Sequence, residues 1–319
     1  MKRSFIFLLL PLLAIGACKP KEVSERPVIE YVSEIIQERA NPAHQLLGSF
    51  KPGDANGNIV VFGPLEEVRP MSASLLRFDR FDNVDARPVR DSLLDFSGEV
   101  VTRVIMSDKS PLSAVQTDEG TRNLRELTVK AALASLDTLG HRTRGKVVVL
   151  TSSAMAAYGK YDLDSLLRAF HIGNVVFFPL DLMAEKALAK PEARIGIVSS
   201  QPAGIYEEYF RHRDEFEGID VGVYPKEMIL DSVSVVDTLS LDMLLLDDYT
   251  VPADTLRSRF PGVEVVTPGS VTSEACFKAM RRRNIFTHRV AYPKRETFTA
   301  SLSEDSEFIL TDSDDRELF

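Results

Sequence analysis

Short, almost unbroken apolar runs recur along this chain, and stretches of helical periodicity separate them. The runs are Ile59–Phe62, Val101–Met106, Val147–Leu150, Val175–Phe178, Ile195–Val198, Val221–Val223, Met243–Leu246 and Val263–Val266. Runs this short, several of them ending in Gly, Ser or Pro, predict buried strands. Between most of them the apolar residues fall three and four apart. Leu124, Leu127, Val129, Ala132, Leu133, Leu136 and Leu139 make one such face, and Gly140 follows as a stop signal. Leu163–Phe170, Met183–Leu188, Ile205–Phe216 and Thr272–Met280 repeat the pattern. Strands that alternate with helices imply right-handed crossovers. Strands apolar on both sides imply a parallel sheet covered on both faces. The fold class is therefore α/β, as two small domains or one large one.

The pattern changes at three places. Val28, Val32, Ile35 and Ile36 predict one short amphipathic helix inside a stretch, residues 18–52, that otherwise reads as a tether. The span Asp54–Val100 begins with a clear strand, but its charged, proline-bearing part, Arg77–Arg90, leaves the topology open. Residues 296–319 hold eight carboxylates among few apolar residues, so a solvated and mostly disordered tail is expected, with a strand at Phe308–Leu310 as its one ordered piece.

The start of the chain is of another kind. Met1-Lys2-Arg3 precedes an apolar run from Ser4 to Ala14, and Ile15-Gly16-Ala17-Cys18 closes it. This reads as a secretory signal peptide over residues 1–17, too short to span a bilayer. Its last four residues resemble a bacterial lipobox. The resemblance implies that Cys18 becomes the first residue of the mature chain and carries diacylglycerol and an N-acyl group. The expected place is the bacterial cell envelope, with the membrane as a partner through the lipid on Cys18. Lys19, rather than aspartate, points to the outer membrane and a periplasmic face under the enterobacterial sorting habit. No later stretch approaches the roughly 18 apolar residues of a membrane span.

Composition narrows the partners. Without Lys2 and Arg3, 36 of the 38 basic residues remain against 47 acidic ones, a net charge of −11. An acidic chain gains no counterion release from nucleic acid, so no nucleic-acid partner is expected. Beyond Cys18 the only thiol is Cys276, which excludes an internal disulfide in the mature chain and a cysteine zinc site.

From about Val104 to Met280 the order of segments resembles the aspartate/glutamate racemases, the glutamate racemase type in particular. Lys146-Val-Val-Val-Leu-Thr-Ser-Ser-Ala-Met-Ala-Ala157 is similar to the family's strand and turn ending in ACNTAS. Ala193-Arg-Ile-Gly-Ile-Val-Ser-Ser200 resembles the RIGVIGT strand that opens its second domain, and Tyr206 stands where a helical tyrosine follows. Asp242-Met-Leu-Leu-Leu-Asp-Asp-Tyr-Thr-Val-Pro252 looks like DTLVLGCTHYP, and Phe260–Gly269 like the strand and turn after it. The resemblance implies two doubly wound parallel-sheet domains, residues 53–190 and 191–295, with a ligand cleft between them.

The departures from the pattern bear on function. Such racemases work with two cysteines on opposite sides of the substrate α-carbon, one as thiolate base and one as thiol acid, because cysteine pKa values tune close to working pH. Here Ser152 stands at the first position, followed by Ser153, and Asp248 at the second, with Thr250 where glutamate racemases carry histidine. A serine hydroxyl is too weak a base to remove an α-proton unaided. The expectation is a chain without two-base racemisation that keeps a polar cleft. Its candidate ligand-binding residues are Ser152, Ser153, Ser199, Ser200, Asp247 and Thr250, with Asp248 as the candidate base if an altered chemistry survives. Ser152 and Asp248 are expected to face each other across the cleft.

Nothing else in the chain competes with that site. The histidines at 44, 141, 171, 212 and 288 show no metal spacing, and no cofactor or metal is expected. Arg281-Arg282-Arg283 suits a helix C-terminus. Three functions follow: binding or scaffolding by a pseudoenzyme lipoprotein with an envelope protein partner, a lipoprotein that hands a small amine or carboxylate to a transporter, or an enzyme that uses Asp248.

Overall fold

A computed structural model describes residues 26–83, 85–91, 93–137, 144–211, 213–231, 240–288, 291–304 and 306–313. The expected signal peptide and Cys18 lie outside these described residues. Among the described residues ten strands form two sheets. The first holds β1 (Asn58–Gly63), β2 (Val100–Met106), β3 (Gly145–Leu150), β4 (Val176–Phe177), β9 (Lys294–Leu302) and β10 (Phe308–Asp312), in the order β10-β9-β2-β1-β3-β4. All its pairings are parallel except β9 with β10. The second holds β5 (Ile195–Ser199), β6 (Val221–Pro225), β7 (Met243–Leu246) and β8 (Glu264–Val266), parallel throughout in the order β6-β5-β7-β8. The fold is α/β with parallel-sheet domains, as the alternation of runs and helical faces requires.

The apolar runs became central strands because both their faces are covered. Every residue of β1 and β3 is buried. Val60 and Phe62 point into one core, which takes Leu124, Val129 and Leu136 from helix α5 (Asp118–Leu136). Ile59 and Val61 point into the other, with Val68, Met71 and Leu75 of α3 (Leu65–Leu76) and Cys276, Phe277 and Met280 of the last helix, α12 (Pro268–Arg283). The remaining helices are α1 (Glu30–Gln37), α2 (Pro42–Ser49), α4 (Ser110–Ser113), α6 (Ser153–Tyr158), α7 (Lys160–Ala169), α8 (Pro179–Leu188), α9 (Ala203–Arg211), α10 (Lys226–Asp231) and α11 (Ala253–Arg259). Side-chain caps set several starts: Thr117 accepts from Gly120 N, and Thr267 from Ser270 N. Asn284 ends α12 in the left-handed conformation, φ 54°. The predicted helix over Ile205–Phe216 stops at Arg211, and a 3-10 turn covers Asp214–Phe216.

Two expectations about the flanks are corrected. The segment expected as a tether over 18–52 is packed from Arg26 onward. It carries two helices, α1 and α2, whose Val32, Ile35 and Leu47 are buried in the first core. Ile29 N donates to Asp162 Oδ1 at 2.9 Å, and Arg125 reaches the same fully buried carboxylate through Nε at 2.7 Å and Nη2 at 2.9 Å. That anchor lies 133 positions away, so the segment's own composition gives no hint of it.

The second correction concerns the C-terminal part. The second sheet closes at Val266, not near 295. The chain then returns: α12 packs against α3 and α8, and β9 inserts beside β2. The expected disordered tail is, up to Ser313, a β-hairpin that completes the first sheet. Phe308 meets Phe62 edge-on at 5.0 Å, and Lys130 pairs with Glu307 at 3.0 Å and with Glu126 at 2.8 Å. Of the carboxylates that suggested disorder, Glu296 lies in β9, Glu304 and Glu307 in the connecting turn, and Asp312 at the end of the edge strand β10, where charge deters pairing with other chains.

The open span 54–100 also resolves into β1, α3 and an irregular loop. Asp95 holds that loop by accepting from Arg80 N at 2.7 Å and Phe81 N at 3.2 Å. Phe78, Phe81, Phe96, Phe277 and Phe286 stack beneath it.

Candidate functional site

The carboxyl ends of β1, β3, β5 and β7 converge on the seam between the two sheets, where open α/β folds hold ligands. β3 runs out into Thr151-Ser152-Ser153. Ser152 is the N-cap of α6, its hydroxyl accepting from Met155 N at 3.4 Å. Ser153 Oγ crosses the seam and donates to Asp247 Oδ2. Asp247 follows β7, fixed by its own N–H donating to Val198 O at 2.9 Å. Tyr206, from the second turn of α9, donates to the same Oδ2, and its oxygen lies 2.6 Å from Ser199 Oγ. Ser199 Oγ in turn accepts from Gln201 N at 2.9 Å. The result is a chain of hydroxyls that ends on one buried carboxylate from both sides of the seam.

The electrostatics follow from burial. Desolvation pushes Asp247 up to about 6, held back by the Ser153 and Tyr206 hydrogen bonds and assisted by the charge of Asp248. Burial also drives the Tyr206 phenol far up, so it stays protonated and serves as a donor.

A second carboxyl comes from the other sheet. Glu67, in the first turn of α3, accepts from Thr151 Oγ1 at 2.8 Å. Burial of its carboxyl pushes Glu67 up to about 8; Thr151 works against that shift and the charge of Asp247 adds to it. Close approach here requires Gly63, whose φ is +154°, since a Cβ at that position would lie 2.0 Å from Thr151 Oγ1. Tyr249 extends from β7 to pack on the α3 side of the first sheet. Its Oη is buried without a hydrogen-bond partner and feels the charges of both Glu67 and Asp247.

Asp248 belongs to a separate group. Its Oδ1 accepts from Thr250 N at 2.8 Å and from Thr250 Oγ1 at 2.5 Å, and Lys226 Nζ lies 3.2 Å from Oδ2. Burial opposes its charge, but Thr250, Ser200 and Lys226 outweigh that and hold the carboxyl below its ordinary value. A carboxylate held this way is a weak base.

The sequence-predicted residues therefore divide. Ser153, Ser199 and Asp247 meet around Tyr206. Ser200, Asp248 and Thr250 meet around Lys226. Ser152 is occupied as a helix cap, and the hydrogen bond across the seam runs from the residue after it, Ser153, to the residue before Asp248, Asp247. Sequence reasoning missed Glu67, Thr151, Tyr249 and Lys226. For Glu67 a signal existed: it is a carboxylate in the first helical turn after a strand that ends in glycine.

Other candidates contribute no chemistry here. Cys276 is buried, and desolvation pushes its thiol up to about 12, so it is inert. Among the described residues no group of three or more His, Cys, Asp or Glu side chains is placed to hold a metal. Three surface cavities, of about 390, 580 and 510 Å³, are lined by residues other than Glu67, Ser153, Tyr206 and Asp247.

No protein-family model matches the chain, and no curated protein matches it in sequence. Among solved structures, glutamate racemase from Francisella tularensis subsp. tularensis, in complex with D-glutamate, superposes with a TM-score of 0.53 at 10% identity. The match covers 79% of this chain and 91% of that one. The fold is that of glutamate racemase. A Bacillus anthracis glutamate racemase isoform gives 0.52 at 14% identity, and the Thermus thermophilus enzyme 0.50 at 13%, each over the same 79% and 91%. In the racemase-like frame the seam that carries Asp247 lies between the two sheets. A shared fold fixes where such a site lies, while the side chains at the seam decide what it does.

Proposed function

We propose that this chain is an envelope lipoprotein, anchored to the outer membrane through an acylated Cys18, whose racemase-like domains bind or scaffold rather than catalyse. The observation that carries this reading is the use of Asp247. The hydroxyls of Ser153 and Tyr206 would suit a substrate carboxylate, and they are spent on the chain's own. Racemisation also needs a base and an acid on opposite sides of the α-carbon. At the two positions where the resemblance places cysteines, Ser152 caps a helix and Asp248 is pinned with lowered basicity. An enzyme with Asp248 as base is accordingly the least supported alternative.

Incubation of the mature protein with either enantiomer of glutamate or aspartate in deuterated water tests the reading. No α-proton exchange is expected. Exchange abolished by Asp248→Ala would refute it. Mass spectrometry of the membrane-extracted protein should find acyl chains on Cys18, and Cys18→Ser should release the protein from membranes.

One observation favours a second reading, a lipoprotein that binds a small amine or carboxylate for a transporter: the buried, unpartnered Tyr249 hydroxyl between two carboxyl groups. A thermal-shift screen of amino acids and small carboxylates separates the two, since a ligand stabilises the folded state by mass action.

A further inference from the structure

The N-terminal segment is docked, and the place of docking limits how the body can sit on a membrane. Arg26 pairs with Glu208 of α9 at 3.9 Å, Pro27 O accepts from Arg125 Nη2 at 2.9 Å, and Ile29 N is held by buried Asp162. These contacts fix the chain from Arg26 onward to α5, α7 and α9. Eight peptide steps separate Cys18 from Arg26. Fully extended they reach about 29 Å, and as a flexible coil about 15 Å. A compact body of about 290 residues has a radius of gyration near 19 Å and a diameter near 50 Å. The link is therefore too short to carry an anchor from Arg26 round to the far side.

We infer that the bilayer surface lies against the face around Arg26, Tyr161 and Arg211, so that the protein is held in one orientation rather than swinging on a leash. This rests on the proposal that Cys18 is acylated. The side chains suit the position. Arg26 shares Glu208 with Arg211, whose side chain is 61% exposed, and lies near Tyr161, which is 37% exposed. Arginine and tyrosine on an otherwise acidic protein fit a headgroup layer, where guanidinium groups meet phosphates and the phenol ring sits between apolar and wet regions. Glu30 and Glu34 of α1 and Glu38 at its C-cap are exposed and follow one another along the helix away from Arg26. The opposite layer of the first sheet carries α12, with Lys278 59% exposed, and the loop of Val89, 60% exposed.

The test uses the chain from Cys18 onward, coupled through that thiol to a maleimide lipid in vesicles of phosphatidylethanolamine and phosphatidylglycerol. A photoreactive headgroup lipid is included, and cross-linked peptides are mapped by mass spectrometry. Cys276 is buried and does not compete for the coupling. Cross-links are expected to be several-fold enriched on the peptides containing Tyr161 and Arg211 over those containing Lys278 and Val89. A Gly-Ser insertion of about eighty residues after Cys18 should erase the bias, because the link, as a flexible coil of about 50 Å, then matches the diameter of the body. Cross-links spread evenly without the insertion, or concentrated near Lys278, overturn the orientation whatever Cys18 carries. Biased cross-links together with an unacylated Cys18 in the native protein would instead fail the lipoprotein reading and leave the geometry of the docked segment standing.

Discussion

Replacing Glu67 with glutamine should change how the stability of this protein depends on pH. In the folded state burial raises Glu67 from 4.5 to about 8. A group raised on folding stabilises fully below its unfolded value and loses that contribution as pH climbs through the folded value. Burial of the carboxyl favours the protonated form over the opposing hydrogen bond from Thr151. Between pH 5 and 9 the linkage relation gives a loss of up to about 4 kcal/mol. Glu67 as a whole is half-buried, and solvent screening brings the expected loss to about 2 kcal/mol. Glutamine keeps the shape and a hydrogen bond to Thr151 but cannot ionise. At pH 5 the variant should match the parent closely. By pH 9 it should be more stable by about 2 kcal/mol, or about 4–8 °C in Tm. Urea denaturation of both proteins at pH 5, 7 and 9 measures this directly. Parallel pH profiles for parent and variant would refute the burial argument, and a Glu67→Gln penalty that grew with pH would reverse its sign.

Three further outcomes are expected. Tyr206→Phe removes a donor from buried Asp247 and should cost about 1.5–3 kcal/mol; the cost should be larger at pH 8 than at pH 5 in denaturation curves, because Asp247 titrates near 6. Asp162→Ala leaves Ile29 N and Arg125 without their buried acceptor and should destabilise by about 3 kcal/mol, with limited proteolysis cutting first near α1. Gly63→Ala drives a methyl group against Thr151 Oγ1 at a backbone conformation that disfavours side chains; a loss of about 2 kcal/mol is expected by thermal denaturation.

The strands of both sheets up to β8 were legible because parallel strands covered on both faces must be continuous apolar runs. β9 carries no such run. It reads Lys294-Arg-Glu-Thr-Phe-Thr-Ala-Ser-Leu302, with only Thr297 and Ala300 buried, and its place beside β2 is decided by a partner strand 188 positions earlier. The docking of α1 was hidden for the same reason, since its holding charge at Asp162 sits on another helix. At the seam, the resemblance pointed to strand ends that do meet there, but not to how their hydrogen bonds divide. Whether Ser152 or Ser153 crosses the seam depends on which one caps α6. Glu67 could be placed in the first turn after β1, but its burial beside Asp247 is not encoded in a linear pattern.

The late arrival of β9 also sets a timetable. In the finished sheet β2 is flanked by β1 on one side and β9 on the other. During synthesis, β1 is available at once, but the 188 positions between Met106 and Lys294 must be translated before the other edge can be covered. At about 5–20 residues per second that interval lasts about 10–40 s. Throughout it, the apolar strand Val100–Met106 presents an open row of backbone donors and acceptors, the arrangement from which strand-mediated aggregation starts. A chain that ends before β9 therefore leaves β2 with one edge unpaired, and only the C-terminal strand covers it.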